Sequence, residues 1–502
     1  MRAGRPNLLL VMVDQLAARF LPCYGHPVVK APALERLADD GVRFTSAYTP
    51  SPLCAPARFA MMSGQLNSRI GAYDNASELP AAVPTFAHHL RAGGYQTCLV
   101  GKMHFIGPDQ LHGFERRLTT DIYPADFGWT PDWDDAETRI DWWFHNMDSV
   151  LGAGVAEATN QLDYDDEVGF QAVRALRDLA RSADERPWML TVSFTHPHDP
   201  YAMRQRYWDR YDHDAIDLPR VGRLPDEQLD PHSRRLRHMS AMDAVEITDD
   251  HVRNARHAYY ATISYIDDWV GTLVETLDTC GLADDTVIVF TADHGDLLGE
   301  RGLWYKMCFF EGASHIPLVV AGPEIASGEA PDHVSLLDLL PTFLDLAGID
   351  RSELADGESI VPLLHGERQN RTVAGEYLAE GAVAPILMIR RGDWKYVSCS
   401  ADPPQLYNIA DDPDELVNLA ADPAHAERVA EFDKEVLARW DPDAIRADVI
   451  ASQRARRTVD AALRTGRRTP WDHQPTVDAA QQYMRSHFDL NDIERTRRLG
   501  SR

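Results

Sequence analysis

An α/β fold, doubly wound around a mostly parallel sheet, follows from three features of the chain. Short apolar runs alternate with longer segments of helical periodicity, which predicts helices on both faces of a sheet. The runs 8–13, 95–100, 188–194 and 286–291 are apolar along their whole length, as strands covered on both faces are. Each run is then followed by acids, histidines or a lysine, at the strand ends where open α/β sheets hold ligands. At 502 residues the chain can bury more than one core. A large unit over 1–370 and a smaller α+β unit with an extended tail over 371–502 are expected.

Taken in order, the first run ends in Asp14 and Gln15, where an acid suits a metal ligand or a helix cap equally. Next comes Ser51-Pro52-Leu53-Cys54-Ala55-Pro56-Ala57-Arg58, continuing as an apolar run to Gly64. Pro56 fits a helix's first turn and Gly64 its far end. Cys54 is therefore expected at a helix N-terminus, where free N–H groups and the macrodipole favour an anion. Arg58, one turn on, adds a fork of donors suited to sulfate or phosphate. On this stretch alone, Cys54 reads equally well as a small buried thiol.

A helical pattern over 83–90 leads into the run 95–100, which ends in Gly101-Lys102-Met103-His104. Residues 105–165 are irregular and aromatic-rich, with Tyr123, Trp129, Trp133, Trp142 and Trp143 set among acids. Aromatic faces beside carboxylates suit a quaternary ammonium group, and a local aromatic core fits the pattern too. After a helix over 164–180 and the run 188–194 comes Thr195-His196-Pro197-His198-Asp199-Pro200, whose prolines hold His198 extended. Residues 201–247 read as a polar surface excursion. Thr248 caps a long helix with a stripe of Val252, Ala255, Tyr259, Ile263, Ile266, Val270 and Leu273. The run 286–291 ends in Asp293-His294-Gly295-Asp296, with Lys306 beyond. Further on, 385–390 and 394–398 read as an antiparallel hairpin joined by 391–393. A helix around 425–439 and a charged tail complete the chain.

The net charge of −28, from 78 acidic and 50 basic residues, argues against nucleic acid or an anionic membrane as partner. Six cysteines without paired spacing read as reduced thiols. The N-terminal apolar run is brief, ends in an acid and reads as a strand rather than a signal peptide. No segment is long and apolar enough to span a membrane, and a cytoplasmic location is expected.

Cys54, Pro56 and Arg58 form C-x-P-x-R, which resembles the modification signal of type I sulfatases, with Ala57 where their commonest form has Ser. Further matching pieces are Met12-Val13-Asp14-Gln15, Gly101-Lys102-Met103-His104 and Phe194-Thr195-His196-Pro197-His198-Asp199-Pro200. Asp293-His294-Gly295-Asp296, the segment 120–129 and Pro470-Trp471-Asp472-His473-Gln474-Pro475 complete the set. Together they resemble sulfatases of the alkaline phosphatase superfamily, and the choline sulfatase branch in particular.

The resemblance implies a divalent metal, calcium foremost with magnesium or manganese as the other candidates, held by Asp14, Cys54, Asp293 and His294. It implies formylglycine made from Cys54 by a formylglycine-generating enzyme, with Arg58, Lys102, His104, His198 and Lys306 as the other catalytic residues. It also implies a small sulfate ester bearing a quaternary ammonium group as substrate, bound by Asn75, Trp129 and Glu380, in a homo-oligomer (dimer or tetramer). Gln15 stands where many sulfatases have a second acid, and His294 where many have Asn or Gln. Asn491 stands where choline sulfatases tend to carry an acid, and Val383 where close relatives have an aromatic residue. Two other readings share these residues: a phosphonate monoester or phosphodiester hydrolase, and an anion-binding protein whose Cys54 is never converted.

Overall fold

The computed structural model describes residues 4–485 and 489–499. The first three residues of the N-terminal stretch and the end of the charged tail lie outside the described residues. One eight-stranded sheet organises the large unit. In chain order its strands are β1 (Asn7–Asp14), β2 (Val42–Phe44), β3 (Gln96–Gly101), β4 (Arg116–Arg117), β5 (Trp188–Pro197), β6 (Thr286–Ala292), β7 (Leu318–Ala321) and β8 (Gly328–Ala330). Across the sheet they lie β8-β2-β7-β6-β1-β5-β3-β4. β1 is central and parallel to both neighbours, with Leu8 opposite Met189 on one side and Val287 on the other. β3 and β4 extend the parallel array, whereas β7 runs antiparallel to β6. Every residue of β1, β5 and β6 is buried, which is what their unbroken apolar runs require.

Five helices matter most for the site. They are α1 (Cys54–Ser63), α2 (Asn160–Arg181), α3 (Asp249–Cys280), α4 (Ala426–Arg439) and α5 (Pro442–Leu463). α1 is buried at all ten positions and ends where Gly64 turns left-handed at φ 66°. α2 starts earlier than the apolar pattern suggests, because the Thr159 side chain accepts the Leu162 N–H and caps it there. Thr248 caps α3 in the same way through the His251 N–H, and Gly281 at φ 71° closes it.

Three sequence expectations need correction. Residues 201–247 are not a surface excursion: Tyr201, Tyr207, Tyr211, Leu236 and Met242 are buried, and a helix spans Pro231–Met239. These anchors are too sparse to form a period, and Tyr201 and Tyr211 turn their hydroxyls inward, onto Asp296 Oδ2 at 2.7 Å and the Tyr260 carbonyl at 3.0 Å. The charged tail likewise begins with α5, capped by Asp441 and opened by Pro442. The hairpin is tighter than expected, because Arg391 pairs with Trp394 and leaves a two-residue turn with Gly392 at φ 55°.

That hairpin belongs to a four-stranded antiparallel sheet of β9 (Thr372–Tyr377), β10 (Ile386–Arg391), β11 (Trp394–Cys399) and β12 (Asp402–Asn408). Lys395 of β11 ties this sheet to the large unit: its buried ammonium lies 2.7 Å from the Phe309 carbonyl and 2.7 Å from Glu311. All six cysteines are unpaired, and no described helix is long and apolar enough to cross a membrane.

At the end of β3 the backbone turns at Gly101, with φ 103°, and a Cβ there would fall 2.0 Å from the Ser193 carbonyl oxygen. Gly101→Ala is expected to destabilise the fold by about 1–3 kcal/mol, read as a lower midpoint in thermal unfolding. An unchanged midpoint would contradict the close strand approach.

Candidate active site

The carboxyl edge of the sheet collects side chains far apart in sequence. Asp14 ends β1, Lys102 and His104 follow β3, His198 follows β5, Asp293 and His294 follow β6, and Cys54 opens α1. One ligand atom from each of Asp14, Cys54, Asp293 and His294 falls within 4.8 Å of all the others, and all four residues are buried. Cys54 Sγ lies 3.2 Å from His294 Nε2 and 3.6 Å from Asp14 Oδ1. His294 Nδ1 sits 3.0 Å from the Gly295 carbonyl; a proton held there leaves the Nε2 lone pair facing the cluster.

Arg58 holds the carboxylates apart and oriented. It donates to Asp14 Oδ2 at 2.9 Å and Asp293 Oδ2 at 2.8 Å, and also to the Lys102 carbonyl and Ser193 Oγ. Lys102 Nζ is 2.6 Å from Asp14 Oδ2 and 4.4 Å from the centroid of the Tyr123 ring. Gln15 adopts φ 67°, so its N–H donates to Asp293 Oδ1 at 3.0 Å, while its side-chain amide donates to Asp296 Oδ2 at 2.8 Å.

The electrostatics follow from burial and these neighbours. Burial would raise the Asp14 carboxyl, but Lys102 and Arg58 hold it well below the usual carboxylate range. Burial and the Asp14 charge push Asp293 up to about 7, against the pull of Arg58. Burial and Asp14 push the Cys54 thiol up to about 12, so the unmodified side chain is a poor nucleophile.

His198 and Lys306 form a second group. Lys306 Nζ is 2.9 Å from His198 Nε2, and His198 Nδ1 is 2.7 Å from the Asp199 carbonyl. Burial and the Lys306 charge lower His198 to about 4, so the ring is neutral near pH 7. Its strand is pinned by Asp165 of α2, which accepts the Thr195 and His196 N–H groups at 2.7 and 2.9 Å. His104, at φ 61°, anchors its N–H on Asp121 at 2.9 Å, while neither buried ring nitrogen has a hydrogen-bond partner among the described residues. Burial and Lys102 lower its pKa to about 3.

A cavity of about 270 Å³ opens above Cys54, near the small end of ligand sites. Asn75, Tyr123, Trp129, Trp143, His198, Lys306 and Glu380 line it. Trp129 and Trp143 are nearly parallel, at 10° and 6.3 Å between centroids. Glu380 is 5% exposed, its Oε2 has no hydrogen-bond partner among the described residues, and burial pushes it up to about 7. Asn75 faces the cavity while its Oδ1 accepts the Ala55 N–H at 3.0 Å.

Every catalytic, metal-ligand and substrate-contact residue expected from sequence therefore belongs to this edge or its cavity. Of the five aromatics singled out, Trp133 is buried behind the wall and Trp142 is 61% exposed. Asn491 sits exposed on the terminal helix Leu490–Arg497, and half-buried Val383 accepts the Arg446 Nε–H. His145, Asn146, Ser149 and Gln161 also line the cavity and were missed. The aromatic insertion gave a regional signal for the first three, and nothing local marks Gln161.

Fold and site define an alkaline phosphatase-like α/β enzyme. The sulfatase family matches residues 6–349, and the chain belongs to that family of sulfuric ester hydrolases. The C-terminal region of choline sulfatase enzymes matches 447–499, and that of N-sulphoglucosamine sulphohydrolase matches 299–440. The chain is 50% identical over 507 residues to choline-sulfatase from Rhizobium meliloti (strain 1021), covering 99% of both proteins. It is 29% identical over 433 residues to arylsulfatase K of Danio rerio, covering 81% of this chain and 78% of that one. A solved phosphonate monoester hydrolase of Agrobacterium radiobacter shares the fold at TM-score 0.69 and 25% identity, over 89% of this chain and 96% of that one.

Family membership implies a divalent metal and a formylglycine, and the residues fit both. Two carboxylates, an imidazole and residue 54 converge in a buried cluster, and the Asp293 carboxyl is raised by burial and by the neighbouring Asp14 charge, both of which a cation would offset. Adding a divalent cation to chelator-treated protein is expected to raise the thermal midpoint, by about 2.7 kcal/mol of stability at a hundredfold excess over its Kd. His294→Ala should blunt the rise; an equal rise in that variant would place the ion elsewhere.

Proposed function

We propose that the chain hydrolyses choline-O-sulfate to choline and sulfate, with Asp14, Asp293, His294 and residue 54 holding the metal. The observation that carries the substrate is Glu380, a buried carboxyl with an unpartnered oxygen on a cavity walled by Trp129 and Trp143. A quaternary ammonium offers no hydrogen bond and is held by aromatic faces and a carboxylate. Similarity to choline-sulfatase over almost the whole chain supports the same reading.

Formylglycine at position 54 would supply, as its hydrate, the hydroxyl for in-line attack on sulfur. A divalent metal held by Asp14, Asp293, His294 and residue 54 would supply positive charge and Lewis acidity there. Arg58 holds both carboxylates in orientation through its paired bonds, and its charge opposes protonation of each. Lys102 and Lys306 stabilise charge on the sulfuryl oxygens by preorganisation. His198 and Lys306 together protonate the departing choline oxygen: the ring is neutral, so the proton comes from the Lys306 ammonium, 2.9 Å from His198 Nε2, which is left as the neutral amine. His104, its ring nitrogens free, accepts the proton whose loss releases sulfate.

Calcium is the metal proposed, because oxygen donors dominate the set; the single imidazole keeps manganese and magnesium as the comparison ions in the thermal test. A separate formylglycine-generating enzyme, a homo-oligomer of two or four chains, a cytoplasmic location and a division into units 1–370 and 371–502 complete the proposal. The six unpaired cysteines support the location.

Steady-state rates on choline sulfate and on an aryl phosphonate, with conversion of Cys54 checked by peptide mass, test the reading. A higher kcat/KM for choline sulfate is expected; the reverse would favour the phosphonate hydrolase reading, and an unconverted, inactive chain the anion-binding one. His198→Ala should lower kcat on choline sulfate on the order of 10²–10⁴-fold, with a smaller loss on an aryl sulfate whose phenolate leaves unaided. Equal losses would remove the proton-donor role. Glu380 is neutral below about 7 and charged above it. The KM for choline sulfate should therefore fall as pH rises through that value, and flatten in Glu380→Gln.

A further inference from the structure

The inward face of α5 carries Ile445, Val449, Gln453 and Arg456, so half of what it buries is polar. Gln453 is 1% exposed and Arg456 6%, and burying such groups is costly unless their partners are fixed. Neither residue lines the cavity above Cys54.

Their bonds end one residue away from each side chain assigned to the cationic end of the substrate. Arg456 forks onto Asp74 with two bonds of 2.7 Å, and Asp74 precedes Asn75. Arg456 Nη1 also reaches Thr130 Oγ1 at 3.3 Å, and Thr130 follows Trp129. Gln453 Oε1 accepts the Trp133 N–H at 2.8 Å; the Trp133 indole N–H then donates to the Ala379 carbonyl at 3.0 Å, and Ala379 precedes Glu380. Three loops from three parts of the chain are thus referenced to one helix face. On the exposed side of the same helix, Arg454 pairs with Asp134 and Arg457 with Asp132, contacts at the solvent edge that add little energy.

We infer that Gln453 and Arg456 are positioning residues for substrate specificity: α5 sets the spacing of Asn75, Trp129 and Glu380 and thereby the fit of the quaternary ammonium, without touching it. The sulfuryl end is held by the strand tips and α1, to which neither Gln453 nor Arg456 bonds, so the two ends of the substrate answer largely to different parts of the chain. This rests on the choline sulfate reading above.

The test uses the matured, metal-loaded full chain and two esters, choline sulfate and 4-nitrophenyl sulfate, which has no ammonium group. Arg456→Met and the milder Gln453→Met are compared with wild type, and Arg456→Lys retains the charge but loses the fork. Displacing the pocket wall is expected to raise KM for choline sulfate on the order of 10–10²-fold, with kcat on both esters within about twofold. Arg456→Lys should recover part of the loss. Parallel losses on both esters, or no change in KM for choline sulfate in either Met variant, would overturn the inference. If wild type itself shows no preference for choline sulfate, the substrate reading fails first, and that is seen before any variant is measured.

Discussion

One buried guanidinium sets the geometry of the site. Arg58 takes Oδ2 of both Asp14 and Asp293, which leaves Oδ1 of each turned toward Cys54 and His294. A charge with no solvent contact is tolerable only when its donors are engaged, and this one also satisfies the Lys102 carbonyl and Ser193 Oγ. The carboxylates cannot rotate without breaking those bonds. Lys102 on Asp14, the Gln15 N–H on Asp293 and the Gly295 carbonyl against His294 are each placed around that arrangement.

Much of this was legible in the sequence because the residues lie at predictable ends of simple elements. A fully apolar run followed by a chemically active residue says both that a strand is central and where it stops. Asp14, Lys102, His198 and Asp293 are found by that logic. Cys54 is found by helix chemistry, since a proline in the first turn and a terminal glycine fix both ends of α1. The family resemblance then converted a set of strand tips into roles, which no spacing alone could do.

What stayed hidden has physical causes. α5 buries a face that is half polar, so its hydrophobic stripe stops after Ile445 and Val449 although Asp441 and Pro442 announce a helix start. β9 and β12 pair with the hairpin strands next to them in the chain, but Gly375 within β9 and Pro403-Pro404 within β12 interrupt the strand pattern. His145, Asn146 and Ser149 sit in an insertion whose course is set by what it packs on. Gln161 is in the first turn of α2 and reaches the cavity because of where the helix lies.

The position of Cys54 also constrains the order of events in the life of the chain. The thiol lines the cavity, 1% exposed, on a helix with no residue at the surface. A catalyst as large as a protein cannot close around it once the strands have assembled. Covalent change at that sulfur, if its agent is that large, belongs to the interval before the polypeptide compacts, and such an agent leaves the thiol of an already compact copy unchanged.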